Sequence, residues 1–213
     1  MPPAADTSGP SDSPSSQVEL TPEAVDKEGW RTRLLAARAE RSEEDRIVAT
    51  RALQAHLLAV VAGAGWSTIS AYAPFGDEPG SVETLVLLQD AGVRILLPCT
   101  GPENLTWAIY DGQFRPGRLG ILEPTGENLG VDALSEVDAV LAPALAVDRN
   151  GIRLGYGRGY YDRALSHLPA ERPVLAVVYD DELVETLPST DHDRPVTHTV
   201  TPLLGTRPVI GRS

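Results

Sequence analysis

The alternation of strand-like and helix-like patterns between residues 68 and 98 limits the fold more than any other feature of this chain. Residues 68–73 read as a strand, 81–91 as a helix and 93–98 as a second strand. A strand–helix–strand unit of this length predicts a parallel pair, because parallel strands need a crossover connection. The pattern continues downstream. Residues 138–142 form a short apolar strand, 160–168 a helix, 173–179 another strand, and 198–201 a short last strand. Residues 105–110 alternate in polarity, as an antiparallel or edge strand does. Upstream, Thr21-Pro22-Glu23 is a helix start, with Trp30, Leu34, Leu35 and Ala37 as the apolar stripe. Ser42 followed by Asp45 reads as a second cap, after which Ile47, Leu53, Leu57 and Val61 recur at helical spacing. The expected architecture is a three-layer α/β/α domain with a mostly parallel, Rossmann-like sheet. Residues 1–18, rich in Pro and Ser without periodic hydrophobicity, are expected to be a disordered tail, and 19–213 a single domain.

Ligands in such sheets gather at the carboxyl ends of strands. One segment expected there, Arg153-Leu-Gly-Tyr-Gly-Arg-Gly-Tyr-Tyr-Asp-Arg163, carries most of the chemical information in the chain. Gly155, Gly157 and Gly159 allow positive φ and close approach of a ligand to the backbone. Successive N–H groups in such a loop form a nest for phosphate oxygens. Arg153, Arg158 and Arg163 add planar cationic forks, and Asp162 is an oxygen ligand suited to a hard divalent metal bridging phosphates. A bare glycine turn with solvated arginines explains the glycines but not the adjoining tyrosines and aspartate. There is no Gly-Lys-Ser/Thr, so this is no Walker-type loop. The G-x-G-x-G spacing also differs from the dinucleotide fingerprint, which leaves Asp180, some twenty residues on, as a coincidence.

The stretch from Leu141-Ala-Pro-Ala-Leu-Ala-Val-Asp148 through Gly151 to Arg163 resembles the signature of 5-formyltetrahydrofolate cyclo-ligases, and the likeness extends over most of residues 27–204. Ala144 and Val147 depart from the glycine and phenylalanine common in that family, without removing a polar group. The resemblance implies the same α/β fold and a residue-by-residue set of roles. Lys27 and Arg31, spaced i, i+4, match a Lys-x-x-x-Arg associated with ATP phosphates. ATP contacts would continue through Arg153, Leu154, Gly155, Tyr156, Gly157, Arg158, Gly159, Tyr160 and Tyr161, with Arg153 and Arg158 catalytic. Folate contacts would come from Ala73, Glu78, Tyr156 and Tyr160. Asp162 and Asp193 match two magnesium-associated positions. Glu78 lies in a loop where Pro79-Gly80 departs from the family, so Glu83 is a rival for its role. Gly120-Ile-Leu-Glu-Pro124 resembles a family segment that either shapes the folate side or is a structural turn.

Composition narrows the rest. Lys27 is the only lysine among 18 basic residues. By itself it reads as a helix-surface residue sharing a solvated face with Arg31, and a phosphate role is what the Lys-x-x-x-Arg resemblance implies. Net charge is −12, with five acids and no base in residues 1–26, which leaves −7 on the remainder. An acidic body argues against broad nucleic-acid binding. Cys99 is the only cysteine, so an intrachain disulfide is impossible and a cytoplasmic location is expected. The apolar run 57–66 is about half a membrane span. Trp107 reads as core rather than as a stacking platform. His192 is a poor ligand for magnesium, which prefers oxygen, and no zinc-type Cys/His spacing or G-x-S-x-G elbow exists.

The function expected from the resemblance is ATP-dependent cyclisation of 5-formyltetrahydrofolate to 5,10-methenyltetrahydrofolate, by a monomer using Mg²⁺, without nucleic-acid or membrane partners. Two other classes fit parts of the pattern. A sugar-phosphate isomerase would use the nest, with Glu78 as base, but leaves Lys27 and the paired tyrosines unexplained. A non-catalytic nucleotide-binding module would not need Lys27, Arg31, Glu78, Asp162 and Asp193 together.

Overall fold

The computed structural model describes residues 26–190 and 193–209. The Thr21-Pro22-Glu23 helix start, the 1–18 tail and His192 lie outside them. The first described helix, α1 (Lys27–Ala39), is capped by Asp26, whose Oδ1 accepts the Gly29 N–H at 2.8 Å. Ser42 caps α2 (Glu43–Ala64) through the Asp45 N–H, as its spacing predicts, and Gly65 ends the helix in the left-handed conformation.

The crossover unit is β1 (Thr68–Ser70), α3 (Val82–Asp90) and β2 (Arg94–Thr100), with β1 and β2 paired in parallel. After them come β3 (Leu105–Ile109), the hairpin strands β4 (Phe114–Pro116) and β5 (Leu122–Pro124), β6 (Asn128–Gly130), β7 (Ala139–Pro143), β8 (Ala146–Asp148) and β9 (Arg153–Leu154). The chain continues with α4 (Tyr160–Leu165), β10 (Val174–Val177), β11 (Leu183–Val184), β12 (His198–Thr201) and β13 (Gly205–Pro208).

The main sheet has eight strands in the order β13-β12-β10-β7-β1-β2-β3-β6. Five neighbouring strands, β12-β10-β7-β1-β2, are parallel; β13 and β3 run antiparallel to them at the two sides, and β6 pairs antiparallel with β3. The two-residue period of the central strands sorts their side chains onto opposite faces. Ile69, Ile95, Leu97, Leu141, Leu175 and Val177 pack with Leu53, Leu57 and Val61 of α2 and Leu85 and Leu88 of α3. Leu96, Val140, Ala142, Val174 and Ala176 pack with Leu134, Leu165 and Leu168 on the other face. This is the expected three-layer arrangement.

Several details differ from the sequence reading. β12 is not the last strand, because β13 pairs outside it. β3 pairs antiparallel with β2, one of the two expected alternatives, and is not an edge, since β6 covers its other side. Leu35 and Ile47 are exposed rather than on buried stripes, and Ala49 occupies the buried position of the α2 face. The helix α2 as a whole is long and apolar enough to cross a membrane, which the shorter run 57–66 understated. Four of its residues are buried, and three of these join the core on the sheet. Trp107 is fully buried, as core.

A second, three-stranded sheet, β11-β8-β9, forms from segments too short to show periodicity. It builds a separate apolar cluster of Leu145, Ala146, Leu154 and Leu187, on which α1 packs through Leu34 and Trp30. Helix α1 therefore stands beside the small sheet, and its polar face is turned to the mouth of the main one.

Candidate functional site

A cleft of about 470 Å³ opens where Tyr72 and Ala73 follow β1, Pro98 and Thr100 end β2, and Pro143 ends β7. These are the carboxyl ends of parallel strands, where main-chain groups are left without a next strand partner. Lys27, Arg31, Ala73, Glu78, Arg153, Leu154, Gly155, Tyr156, Gly157, Arg158, Gly159, Tyr160, Tyr161, Asp162 and Asp193 all line it. These residues thus meet in one cavity, from segments up to 166 positions apart, while Arg163 and Glu83, also offered by the sequence, stand outside it.

The glycine loop joins β9 to α4. Gly157 (φ +92°) and Gly159 (φ +64°) use the left-handed freedom of glycine, whereas Gly155 does not. A Cβ on Gly157 would meet the Arg31 guanidinium at 3.1 Å, and one on Gly159 would meet Arg163 at 2.9 Å. A Cβ on Gly155 would meet nothing within 4 Å, so the open side of the loop lies there. Arg31 Nε donates to the Gly155 carbonyl at 3.0 Å and fixes the loop against α1.

Arg163 departs from the expected role. It is not a cleft fork: Nε and Nη2 donate to the Glu103 carbonyl, and Nη2 also to that of Arg158. Tyr160 donates to the Gly101 carbonyl at 3.0 Å, so both residues tie the glycine loop to the β2–β3 turn. Arg158 is exposed at the rim. Arg153 is almost wholly buried in the wall. Its Nη2 donates to Asp162 Oδ1 at 2.5 Å, while Nε and Nη1 have no partner. The nearby Tyr161 hydroxyl is also buried without a partner, and burial pushes it well above the usual phenol range. Buried donors of this kind require an acceptor.

Lys27 Nζ donates to Asp193 Oδ2 at 2.7 Å, and the Thr190 N–H reaches the same oxygen at 2.7 Å. Burial works against the Asp193 charge, but Lys27 and Thr190 outweigh it and hold the carboxyl below its ordinary range. No cluster of three or more His, Cys, Asp or Glu exists among the described residues. Of the three carboxylates that line the cleft, Asp162 and Asp193 are paired with Arg153 and Lys27; their chemistry suits Mg²⁺, which commonly takes one or two carboxylates and completes its shell with water and phosphate oxygens.

Glu78 lies in the loop between β1 and α3. Tyr72 closes that loop by donating to the Pro79 carbonyl at 2.6 Å, and Gly80 takes φ +104°, so Pro79-Gly80 serves the turn. The Phe75 N–H donates to Glu78 Oε2 at 2.9 Å. Burial raises the Glu78 pKa, opposed by that N–H, by Tyr156 and by Arg38. Glu83 lies outside the cleft, in the first turn of α3. Within the Gly120–Pro124 segment, Ile121 lines the cleft and Glu123 Oε1 accepts the Thr100 N–H at 2.8 Å, so the segment both shapes and braces it.

The sequence reading missed Arg38. It is 1% exposed and donates Nε and Nη2 to Glu182, Nη2 to the Ala144 carbonyl at 2.6 Å and Nη1 to the Tyr156 hydroxyl at 3.0 Å. At about 100° per residue, positions 27, 31 and 38 fall within about 40° of one another on α1. That spacing was the available signal. Phe75, half exposed at the cleft, was missed as well.

Fold and cleft define an α/β domain with its ligand site at the carboxyl ends of the sheet. The family model of the 5-formyltetrahydrofolate cyclo-ligase family matches residues 23–202, and the chain belongs to that family. A 5-formyltetrahydrofolate cyclo-ligase of Mycolicibacterium smegmatis is 44% identical over 149 residues, 65% of this chain and 75% of the relative. That of Escherichia coli is 34% identical over 142 residues, 63% and 78% of the respective chains. The structure of Aquifex aeolicus 5,10-methenyltetrahydrofolate synthetase superimposes with a TM-score of 0.72 at 27% identity, over 88% of this chain and 95% of that one. A Mycoplasma pneumoniae synthetase shares the fold, with a TM-score of 0.69 at 19% identity over 84% and 99%.

Proposed function

We propose that the cleft closes 5-formyltetrahydrofolate to 5,10-methenyltetrahydrofolate at the expense of ATP, releasing ADP and phosphate. The observation that carries the nucleotide half is the buried Arg153 fork with two unpartnered N–H donors beside the unpartnered Tyr161 hydroxyl. Phosphate oxygens satisfy such donors, and in a site shielded from water the contact is strong. Lys27 and Arg31 on α1 face the same space and supply positive charge on an otherwise acidic domain.

A formyl oxygen is a poor leaving group until it is phosphorylated. Transfer of the terminal phosphoryl group to that oxygen, attack by N10 on the activated carbon, loss of phosphate and release of the N10 proton to solvent then close the ring. Such a transfer asks the protein mainly for alignment and charge neutralisation. Arg153 and Arg158 would hold the transferred group, and the open face of the loop at Gly155 lets it approach the backbone. Glu78 would accept paired N–H groups of the pterin, with Ala73, Tyr156 and Tyr160 around it. Asp162 and Asp193 would hold Mg²⁺, which would supply further neutralisation of phosphate charge. The reading extends to a cytoplasmic monomer that acts without nucleic acid or membrane, supported by the acidic body and the single, buried Cys99.

The test is ATP consumption by the purified protein with and without 5-formyltetrahydrofolate. Turnover that needs both, with a product absorbing as the methenyl compound, is the expected result. ATP binding without turnover would leave a nucleotide module, and activity on sugar phosphates without ATP would leave an isomerase.

A further inference from the structure

We propose that the Lys27–Asp193 ion pair makes the cleft selective for a nucleotide that brings its metal ion, over free nucleotide and free metal ion alike. The proposal rests on the reading of Lys27 as a phosphate contact and of Asp193 as a metal carboxylate.

The two roles fall on partners of one another. Lys27 Nζ stands 2.7 Å from Asp193 Oδ2, and the side chains are 28% and 11% exposed. A phosphate oxygen bonded to Nζ would lie within about 5.5 Å of that carboxylate oxygen. Two negative charges so close, and largely out of water, repel one another. A metal ion on Asp193 meets the converse, an ammonium at the same short range. Each ligand alone therefore breaks the charge balance of the pair. Together they restore it, because phosphate faces Lys27 while Asp193 faces the cation.

Asp193 cannot retreat from this competition. The Thr190 N–H at 2.7 Å and hydroxyl at 3.2 Å reach the same Oδ2, and the Asp193 N–H donates to the Thr190 carbonyl at 3.0 Å. Arg194, the next residue, donates to the carbonyls of Leu165, Leu168 and Pro169, which fastens the backbone to the end of α4 and the turn after it. The second ion pair of the cleft behaves differently. Arg153 holds Asp162 through Nη2 alone, so Nε and Nη1 can take a phosphate while that bond stays made. Arg31 is paired with Glu28, which does not line the cleft. The choice between ligands is thus concentrated at Lys27 and Asp193.

The experiment measures two affinities separately: Mn²⁺ without nucleotide, by the paramagnetic resonance of the free ion, and ATP in EDTA, by calorimetry. Mn²⁺ stands in for Mg²⁺ because it takes the same oxygen ligands. Lys27→Ala should bind Mn²⁺ about tenfold more tightly than wild type, since Asp193 loses its competing cation. Asp193→Asn should bind metal-free ATP about tenfold more tightly, since the repelling carboxylate is gone and Lys27 is released. Removing a contact that only supports the fold gives no such gain of affinity. Arg158→Ala takes a positive charge from the exposed rim, outside both ion pairs, and should leave Mn²⁺ affinity within about twofold. A folded Lys27→Ala protein that binds Mn²⁺ no more tightly than wild type overturns the proposal. So does a folded Asp193→Asn protein without the gain for metal-free ATP, or an equal Mn²⁺ gain in Arg158→Ala. If both gains appear but 5-formyltetrahydrofolate is not turned over, the ion-pair selectivity stands and the cyclisation reading falls. Turnover without the gains leaves the cyclisation and removes the selectivity.

Discussion

Gly157→Ala tests the construction of the loop most directly. An alanine must hold φ near +92°, a conformation that costs an L-residue about 1–2 kcal/mol. Its Cβ would also stand 3.1 to 3.3 Å from three atoms of the Arg31 guanidinium. Arg31 is the mobile end of a long side chain and can retreat by a few tenths of an ångström, which lengthens its 3.0 Å bond to the Gly155 carbonyl. We expect total destabilisation of about 1–2 kcal/mol, or roughly 2–8 °C in melting temperature for a domain of this size. Displacing Arg31 should also weaken ATP binding about tenfold. The contrasting variant is Gly155→Ala. With open space around the new Cβ and no positive φ, it should leave stability within about 0.5 kcal/mol of wild type while still weakening ATP, because the methyl would enter the space a phosphate occupies. Thermal melts with and without ATP, followed by calorimetric titration, measure both quantities. A Gly157→Ala protein with wild-type stability and affinity would refute the argument, as would a Gly155→Ala protein that binds ATP normally.

Lys27→Ala should raise the Michaelis constant for ATP about tenfold to a hundredfold, far more than that for folate, and Lys27→Arg should recover only part. ATP should protect Lys27 from acylation; equal labelling with and without nucleotide would remove it from the site. Asp138 accepts the N–H groups of Ser67 and Thr68, which hold its pKa below the ordinary value, so its contribution to stability is present above about pH 4. Asp138→Ala should therefore cost about 1–2 kcal/mol at pH 7 by denaturant titration, and the gap to wild type should close as pH falls through the depressed folded-state value. Since the family match starts at residue 23, removing residues 1–18 should leave melting temperature and turnover nearly unchanged.

The strand–helix–strand unit and the glycine loop were legible because each follows a local rule: two-residue alternation, helical spacing and the steric freedom of glycine. What failed to show was set by contacts distant in sequence. Arg38 reads as an ordinary basic residue of an amphipathic helix, yet its partners Ala144, Tyr156 and Glu182 lie 106 to 144 positions away and bury it. Leu35 and Ile47 have the right hydrophobicity but the wrong angle, because the packed face of each helix is decided by what arrives against it. β8 and β9 are three and two residues long, too short for any period, and β13 contains both Gly and Pro, which are poor strand formers. Arg163 was misassigned because a guanidinium near glycines looks the same in sequence whether it faces a phosphate or a carbonyl.

Helix α1 is the earliest described segment, yet each of its functional contacts closes a very long loop: 118 residues from Arg38 to Tyr156, 124 from Arg31 to Gly155, 144 from Arg38 to Glu182 and 166 from Lys27 to Asp193. Contacts of that span form late, because closing them requires the intervening chain to be ordered first. On a ribosome, α1 emerges before all of these partners and waits for them before it can dock. A chain halted after residue 39 and before residue 193 would carry the lysine and the helix but lack the aspartate that holds the lysine in place. The cleft is therefore complete only once residue 193 has been made, and a fragment that lacks either α1 or Asp193 cannot present a finished site.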